Sequence, residues 1–199
     1  MSDTPVDAGK RTWLIASGSA GVVGGAFTAV PFVSSFLPSE RAKAAGAAVE
    51  ADVSSLKPGE KMTVEWRGKP VWIMRRTPEQ VAALPSLDQQ LADPKSERKP
   101  DEFTPPYARN ETRSIKPELL VVVGICTHLG CSPSDRFQPG PQTSLPDDWK
   151  GGFFCPCHGS TFDLAGRVFK NKPAPDNLEV PPHMYVSDSR LLIGEDKQA

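Results

Sequence analysis

The sequence predicts a mainly β fold preceded by one membrane-spanning helix. Three observations predict it: frequent proline and glycine, an uncharged N-terminal segment, and short apolar runs separated by turn residues. The 199 residues include 21 prolines and 16 glycines, which disfavours long helical bundles. The 23 Lys and Arg residues are balanced by 24 Asp and Glu residues, for a net charge of −1. This balance argues against a nucleic-acid partner held by phosphate neutralisation.

The N-terminal segment has the length and composition of a membrane anchor. No charged residue occurs between Thr12 and Ser39, and the apolar part runs from Trp13 to Leu37. Twenty-five helical residues would span about 37 Å, enough to cross a hydrocarbon core of about 30 Å. We therefore predict a transmembrane anchor over residues 12–38. A cleaved signal peptide, with its cleavage site near residues 42–44, is the alternative.

The residues on either side of the predicted anchor give evidence on its orientation in the membrane and on a flexible connection to the domain that follows. Lys10 and Arg11 precede the anchor and resemble a variant twin-arginine export signal, so we expect residues 1–11 in the cytoplasm. Basic residues also lie after the anchor, so the positive-inside count weakly favours the opposite orientation. Residues 39–49 are rich in small side chains, and we expect a flexible hinge there.

The body of the chain is predicted as short strands. Lys61–Arg67 and Val71–Arg75 are typical of a hairpin whose turn is Gly68–Pro70. Thr77, Pro78 and Gln80 predict a capped helix start. The continuous apolar run Leu119–Ile125 predicts a buried strand. Further strands are expected at Arg167–Phe169, Leu178–Val180, Met184–Val186 and Arg190–Ile193, with the final turn at Asp188-Ser189.

Two other features are predicted to be ordinary surface. Residues 93–118 are charged and rich in proline, which is typical of a long solvated excursion. His183 lies in Pro181-Pro182-His183 between strands, and we expect a surface or turn histidine there.

The cysteines and histidines form the informative cluster of the sequence. Six of the seven fall in residues 126–158, in the two boxes CTHLGC (126–131) and CPCHGS (155–160). Each box carries a Cys and a His in ligand spacing: Cys126 with His128, and Cys155 with His158. Two thiolates and two imidazoles suit a structural zinc ion or a Rieske 2Fe–2S centre. Cys131 and Cys157 are surplus to four ligands and can form a disulfide in an exported domain.

The two boxes resemble the cluster-binding boxes of the Rieske iron–sulfur subunits of quinol–cytochrome c oxidoreductase, the cytochrome bc complex. The likeness extends over about residues 10–199 and includes the segment GKPVWIMRRT (68–77) and the loop Pro173–Pro175. The resemblance implies an antiparallel Rieske-type β sandwich over residues 50–199. It also implies a small cluster-binding subdomain at about residues 120–165.

The resemblance gives the boxes specific roles. The six Cys and His side chains divide into three pairs: Cys126 and Cys155 on the inner iron, His128 and His158 on the outer iron, and Cys131 with Cys157 in a disulfide. His158 would also hydrogen-bond the quinol and accept its proton.

Three further residues are expected to tune the cluster, and two positions depart from the family's pattern. Leu129 would shield the cluster, and the Ser160 hydroxyl would hydrogen-bond a bridging sulfide. Phe162 stands where the family often has Tyr, so one hydrogen bond toward a ligand sulfur would be missing. Lys172 stands where Gly is common.

The resemblance implies electron transfer from ubiquinol, at the quinol-oxidation site of cytochrome b, to the haem of cytochrome c1. The chain would then be one subunit of a homodimeric, proton-translocating complex in the inner (plasma) membrane, with its C-terminal domain in the periplasm. Two alternatives stay open on the residues alone. One is a soluble periplasmic Rieske electron carrier or small oxidase subunit, and the other is a structural zinc-binding interaction module.

Overall fold

The computed structural model describes residues 7–39, 46–99 and 102–196. The chain divides into two compact units, Met1–Ala44 and Ala45–Ala199. Most of the predicted hinge at 39–49, namely residues 40–45, lies outside the described residues. The hinge therefore stays a prediction.

The first unit contains one long helix, α1 (Ala8–Ser34), which is long and apolar enough to cross a membrane. Its 27 residues correspond to about 40 Å of helix. The helix begins four residues before the predicted start because the Asp7 side chain accepts hydrogen bonds from the Gly9 and Lys10 amides. It ends at Ser34, before the apolar run does, and Pro31 lies inside its last turn.

The described residues of the second unit form short antiparallel strands, one short helix and two 3-10 segments. The strands are β1 (Val49–Asp52), β2 (Lys61–Trp66), β3 (Lys69–Arg75), β4 (Leu119–Val123), β5 (Ser134–Arg136), β6 (Gly152–Phe154), β7 (Thr161–Asp163), β8 (His183–Ser187) and β9 (Arg190–Ile193). The helix is α2 (Pro78–Ala83), and the 3-10 segments are Leu84–Gln90 and Pro106–Ala108. In the described residues the strands form three sheets, ordered β1-β9-β8, β2-β3-β4 and β5-β6-β7. The mainly β prediction is confirmed.

Strands β3 and β4 of the sheet β2-β3-β4 form the middle layer of this unit because both of their faces are buried. On β3 and β4, Trp72, Met74, Leu120 and Val122 pack into one core together with Cys126, Phe153, Cys155 and Phe162; we name this the ligand-side core. The alternate residues of the same strands pack into a second core together with β1 and β9, the base core. Burial on both faces explains why β4 is a continuous apolar run.

The predicted hairpin is present, but its turn is shorter than expected. The turn is Arg67-Gly68, and both residues have positive φ, 52° and 71°. Two-residue turns of this kind match the twist of the flanking strands, so β3 begins at Lys69 and includes Pro70. The predicted capping box is confirmed, because Thr77 and Gln80 each bond the other's backbone amide.

The prediction that residues 93–118 form a solvated excursion is wrong. Thr104, Ala108, Arg113 and Ser114 are each at most 2% exposed. Arg113 is buried because its guanidinium donates to the carbonyls of Ala165, Gly166 and Leu178 and to the Thr104 hydroxyl. These acceptors satisfy the two terminal nitrogens of the guanidinium away from water, while its buried Nε has no partner among the described residues. The segment therefore packs against the body.

The C-terminal strands agree with the prediction only in part. β8, β9 and the turn between them are present. Residues 167–169 make single bridges through Val168 and Phe169 rather than a strand, and residues 178–180 are irregular. His183 is also not a surface residue: it is 2% exposed and opens β8.

Candidate metal centre

The two boxes fold into matching turns at the end of the ligand-side core. In the first box, the Cys126 amide donates to the Cys131 carbonyl and the Gly130 amide donates to the Cys126 carbonyl. In the second, the Cys155 amide donates to the Ser160 carbonyl and the Gly159 amide donates to the Cys155 carbonyl. Gly130 and Gly159 have φ of 82° and 77°, a conformation that glycine adopts without strain. Each box therefore presents its side chains from the same loop shape.

The two ligand cysteines lie at the inner end of these turns. Cys126 and Cys155 are each 2% exposed and belong to the same buried core. Burial raises the pKa of the Cys126 thiol, an effect that the His128 backbone amide opposes. Because metals bind the thiolate, loading of a metal at this thiol releases a proton.

The two histidines lie further out on the same loops. The His128 and His158 rings are 4.7 Å apart between centroids and nearly perpendicular, at 88°. His158 is exposed and His128 is partly exposed. The site thus has sulfur donors inside and imidazole donors toward solvent.

The surplus cysteines are joined in the predicted disulfide, Cys131–Cys157. The sulfurs of Cys131, Cys155 and Cys157 lie within 4.8 Å of one another. These three are not a ligand set, because two of them are committed to the disulfide. The bond instead ties the two boxes together beside Cys155.

Ser160 and Thr127 connect the boxes to a third loop around Pro173–Pro175. The Ser160 hydroxyl oxygen accepts a hydrogen bond from the Ala174 amide at 3.0 Å, and the same hydroxyl opposes the rise in the pKa of the Cys126 thiol. The Thr127 hydroxyl donates to the Asp176 carbonyl at 2.6 Å. Sequence reasoning missed Thr127 and Ala174, because each bond joins a side chain to a backbone group, 49 and 14 residues apart, and leaves no local pattern.

The remaining predicted tuning residues occupy contrasting environments. Leu129 is 71% exposed at the tip of the first box. Phe162 is fully buried in the ligand-side core with Cys126 and Cys155. Lys172 is partly exposed beside the third loop.

The donor set fits a 2Fe–2S centre of the Rieske type. Two buried thiols in the same core and two outward imidazoles come from two loops that are cross-linked to each other. A cluster with one iron on thiolates and the other on imidazoles requires this division of donors. The surplus cysteines do not compete, because the disulfide removes them.

Comparisons with known proteins show the family of this chain. Residues 104–182 match the family model described as "Rieske [2Fe-2S] domain". A solved hyperthermophilic respiratory Complex III chain is 28% identical, with a TM-score of 0.48, over 89% of this chain and 97% of that one. The ubiquinol–cytochrome c reductase iron–sulfur subunit of Bradyrhizobium diazoefficiens is 40% identical, over 93% of this chain and 94% of its own length. The ubiquinol–cytochrome c reductase iron–sulfur subunit of Allochromatium vinosum is 58% identical, over 99% of this chain and 94% of its own length. The chain belongs to the Rieske iron–sulfur subunits of ubiquinol–cytochrome c reductase.

Proposed function

We propose that Cys126, His128, Cys155 and His158 hold the 2Fe–2S cluster through which this subunit carries electrons from quinol towards cytochrome c1. Cys126 and Cys155 would bind the inner iron, and His128 and His158 the outer iron. The observation that carries the proposal is the burial gradient across the two boxes, with thiols at 2% exposure inside and imidazoles outside.

The ligand chemistry suits the oxidation of a quinol. A 2Fe–2S cluster with two imidazole ligands supplies a one-electron acceptor at about −150 to +300 mV, well above the value of about −400 mV typical of plant-type ferredoxins with thiolate ligands. The Ser160 hydroxyl favours the thiolate form of Cys126, so it would withdraw electron density from the sulfur and favour the reduced state. The Ala174 amide holds this hydroxyl in place.

His158 is the residue best placed to meet the quinol. Its imidazole is exposed at the tip, and one ring nitrogen stays free when the other binds metal. That nitrogen would accept a hydrogen bond from the quinol hydroxyl and then take its proton. Leu129, exposed beside it, would exclude water from the contact.

The partners are inferred from the family. We propose cytochrome b and cytochrome c1 as neighbours, ubiquinol as the substrate, and a homodimeric complex. The names of the two bacterial relatives, both ubiquinol–cytochrome c reductase subunits, support the substrate. The homodimer rests on the family resemblance.

The subunit is anchored to the membrane by α1, and we propose that its second unit lies in the periplasm. The Cys131–Cys157 disulfide supports this side, because disulfides persist in oxidising compartments. Lys10 and Arg11, in the first turn of α1 and ahead of its apolar run, support export through a twin-arginine signal.

Membranes of a host lacking its own subunit provide the test, with ubiquinol-dependent cytochrome c reduction as the readout. We expect the wild-type chain to restore the activity and His158→Ala to lower it by at least tenfold. Gln138→Ala, a change of an exposed side chain in the same subdomain, is the matched control and should keep wild-type activity. Full activity with His158→Ala would contradict the role of His158. Faster turnover with a different quinol would contradict ubiquinol as the substrate.

A further inference from the structure

Trp72 lies in the ligand-side core, beneath both boxes. It sits on β3, opposite Val122 of β4, and is 4% exposed. Its indole contacts the chain immediately before each ligand loop.

The first contact is with Gly124, two residues before Cys126. A Cβ atom built on Gly124 would lie 2.1 Å from Cε2 of Trp72 and 2.5 Å from Cζ2 and Nε1. The indole therefore occupies the space that any side chain at this position would need. The Gly124 amide also donates to the Pro70 carbonyl at 2.8 Å, so the backbone cannot retreat without losing a hydrogen bond.

The second contact is with Phe153, two residues before Cys155. The Trp72 and Phe153 rings are stacked, with centroids 5.0 Å apart and an interplanar angle of 24°. Phe137 meets Phe153 edge-on at 5.6 Å. Stacked and edge-on geometries are the favoured arrangements of aromatic pairs, so the position of Phe153 is well defined.

Lys61 contacts the indole of Trp72 and is itself paired with Asp135. The Lys61 Nζ lies 4.0 Å from the Trp72 ring centroid. Lys61 also forms an ion pair with Asp135, which lies opposite Phe153 in the β5–β6 pair. The four residues Lys61, Trp72, Phe153 and Asp135 thus form a closed ring of contacts between the sheet β2-β3-β4 and the sheet β5-β6-β7.

We propose that Trp72 is the positioning residue of the metal centre, and that the bulk of its indole sets the separation of the two ligand loops. This inference rests on the ligand set proposed above. One rigid side chain contacts the approach to Cys126 and the approach to Cys155, so a change in its size moves one ligand thiol relative to the other. The cluster needs a defined spacing of its sulfur ligands, so its retention and its electronic structure depend on this contact.

Trp66 supplies a matched comparison within the same hairpin. It is also 4% exposed, and its indole also lies where a side chain on a glycine, Gly194, would need to be. Trp66 belongs to the base core, however, which contains neither ligand cysteine. A general loss of packing should follow replacement of either tryptophan, whereas an effect on the ligands should follow only replacement of Trp72.

A size exchange at Trp72 and Gly124 tests the proposal in the full chain. Gly124→Ala, Trp72→Leu, the double variant and Trp66→Leu are purified, and iron and acid-labile sulfide per chain are measured. The electron paramagnetic resonance spectrum and the midpoint potential of the remaining cluster are then recorded.

We expect Gly124→Ala to lose cluster roughly tenfold, the loss typical of a disturbed supporting shell. Leucine removes all three atoms that oppose the new methyl group, so the double variant should regain most of the cluster. Trp72→Leu should alter the spectrum and the potential, and Trp66→Leu should leave both as in the wild type.

Three results would overturn the proposal. They are a wild-type cluster content in Gly124→Ala, a double variant no better than Gly124→Ala, and spectra that change equally in Trp72→Leu and Trp66→Leu. The wild-type spectrum separates this failure from failure of the ligand set. If the wild-type chain itself lacked a Rieske signal, the ligand set would be wrong; if the wild type had one, only the role of Trp72 would fall.

Discussion

Phe162 and Ser160 lie on the same side of the strand that leaves the second box. Ser160 directly precedes β7 and Phe162 lies two residues further on, so both side chains face the ligand-side core. The Ser160 hydroxyl favours the thiolate form of Cys126, whereas Phe162 offers this region only a hydrocarbon ring. Tyrosine differs from Phe162 by one hydroxyl oxygen, and this oxygen would add a hydrogen-bond donor beside the metal centre.

Phe162→Tyr should raise the reduction potential of the cluster. A hydroxyl that donates to a ligand sulfur favours the electron-rich reduced state. The measurement is a redox titration monitored by electron paramagnetic resonance, with Phe169→Tyr, in a separate buried cluster, as the control. An unchanged potential together with a loss of about 1–3 kcal/mol in unfolding free energy would mean that the buried hydroxyl finds no partner, and would contradict the prediction.

His183 is a buried titratable group far along the chain from the boxes. Its Nδ1 lies 2.8 Å from the Pro181 carbonyl, and its ring meets Tyr107 edge-on. Burial lowers the pKa of His183 from its ordinary value of 6.5, although the Pro181 carbonyl and Asp196 oppose the shift. Burial raises the pKa of Tyr107 to about 12, so this neighbour stays neutral near neutral pH.

The lowered pKa of His183 predicts that the free energy of unfolding falls in acid. The stabilising contribution of the neutral ring is complete above pH 6.5, because both folded and unfolded states are then uncharged. It is lost as the pH falls from 6.5 toward the lower folded-state pKa, because only the unfolded state readily takes the proton. In urea unfolding at pH 7.5 and pH 5, the stability advantage of wild type over His183→Gln should shrink at pH 5. An advantage of equal size at both pH values would rule out this linkage.

At the scale of elements, the two boxes behave as one unit because the disulfide and the third loop hold them. Cys131 and Cys157 close a loop with a sequence separation of 26 residues. Ser160 and Thr127 attach both boxes to the segment Ala174–Asp176. The ligands are thus fixed by cross-links that lie outside the ligand set.

Removal of the disulfide should destabilise the cluster-binding subdomain. For a loop of this length, the chain-entropy model gives roughly 3.5 kcal/mol. We expect Cys131→Ser combined with Cys157→Ser to unfold at lower denaturant and to lose iron faster than the wild type. Ser132→Ala, a change of an exposed residue beside Cys131, serves as the control. Equal iron retention in the double variant and the control would show that the cross-link does not hold the site.

The elements also show which features the sequence could predict. The ligand boxes and the capping box of α2 depend on residue types at short spacing, and both are visible in the residues themselves. The disulfide, which spans 26 residues, was predicted because its two cysteines are surplus to the four ligands and because the family resemblance pairs them. β4 was predictable because burial on both faces produces an uninterrupted apolar run. The burial of Arg113 could not be predicted from the sequence, because the carbonyls that accept its hydrogen bonds lie 52 to 65 residues away. The same holds for Trp72, whose contacts with Gly124 and Phe153 exist only once three strands have assembled.

At the scale of the whole molecule, an apolar anchor and an electron-carrying domain are joined by residues 39–49. The family resemblance implies that this segment is a hinge that lets the domain reach two partners in turn. Small side chains there would permit the backbone changes that such movement needs.

Proline at positions 44–46 should slow turnover without altering the cluster. Proline fixes φ near −65° and removes an amide donor, so the segment would stiffen. The expected result for the triple change Ala44→Pro, Ala45→Pro and Gly46→Pro is reduced quinol–cytochrome c reductase activity with a wild-type resonance spectrum. Undiminished activity would contradict movement about this segment.

We propose a two-iron centre whose buried iron is held by Cys126 and Cys155 and whose outer iron is held by His128 and His158. Electron paramagnetic resonance of the reduced wild-type chain, combined with iron, sulfide and zinc analysis, tests this ligand set. We expect two irons and two sulfides per chain, a Rieske-type signal, and a midpoint potential above about −150 mV. Zinc without iron, or an iron centre with the potential of an all-thiolate cluster near −400 mV, would contradict it.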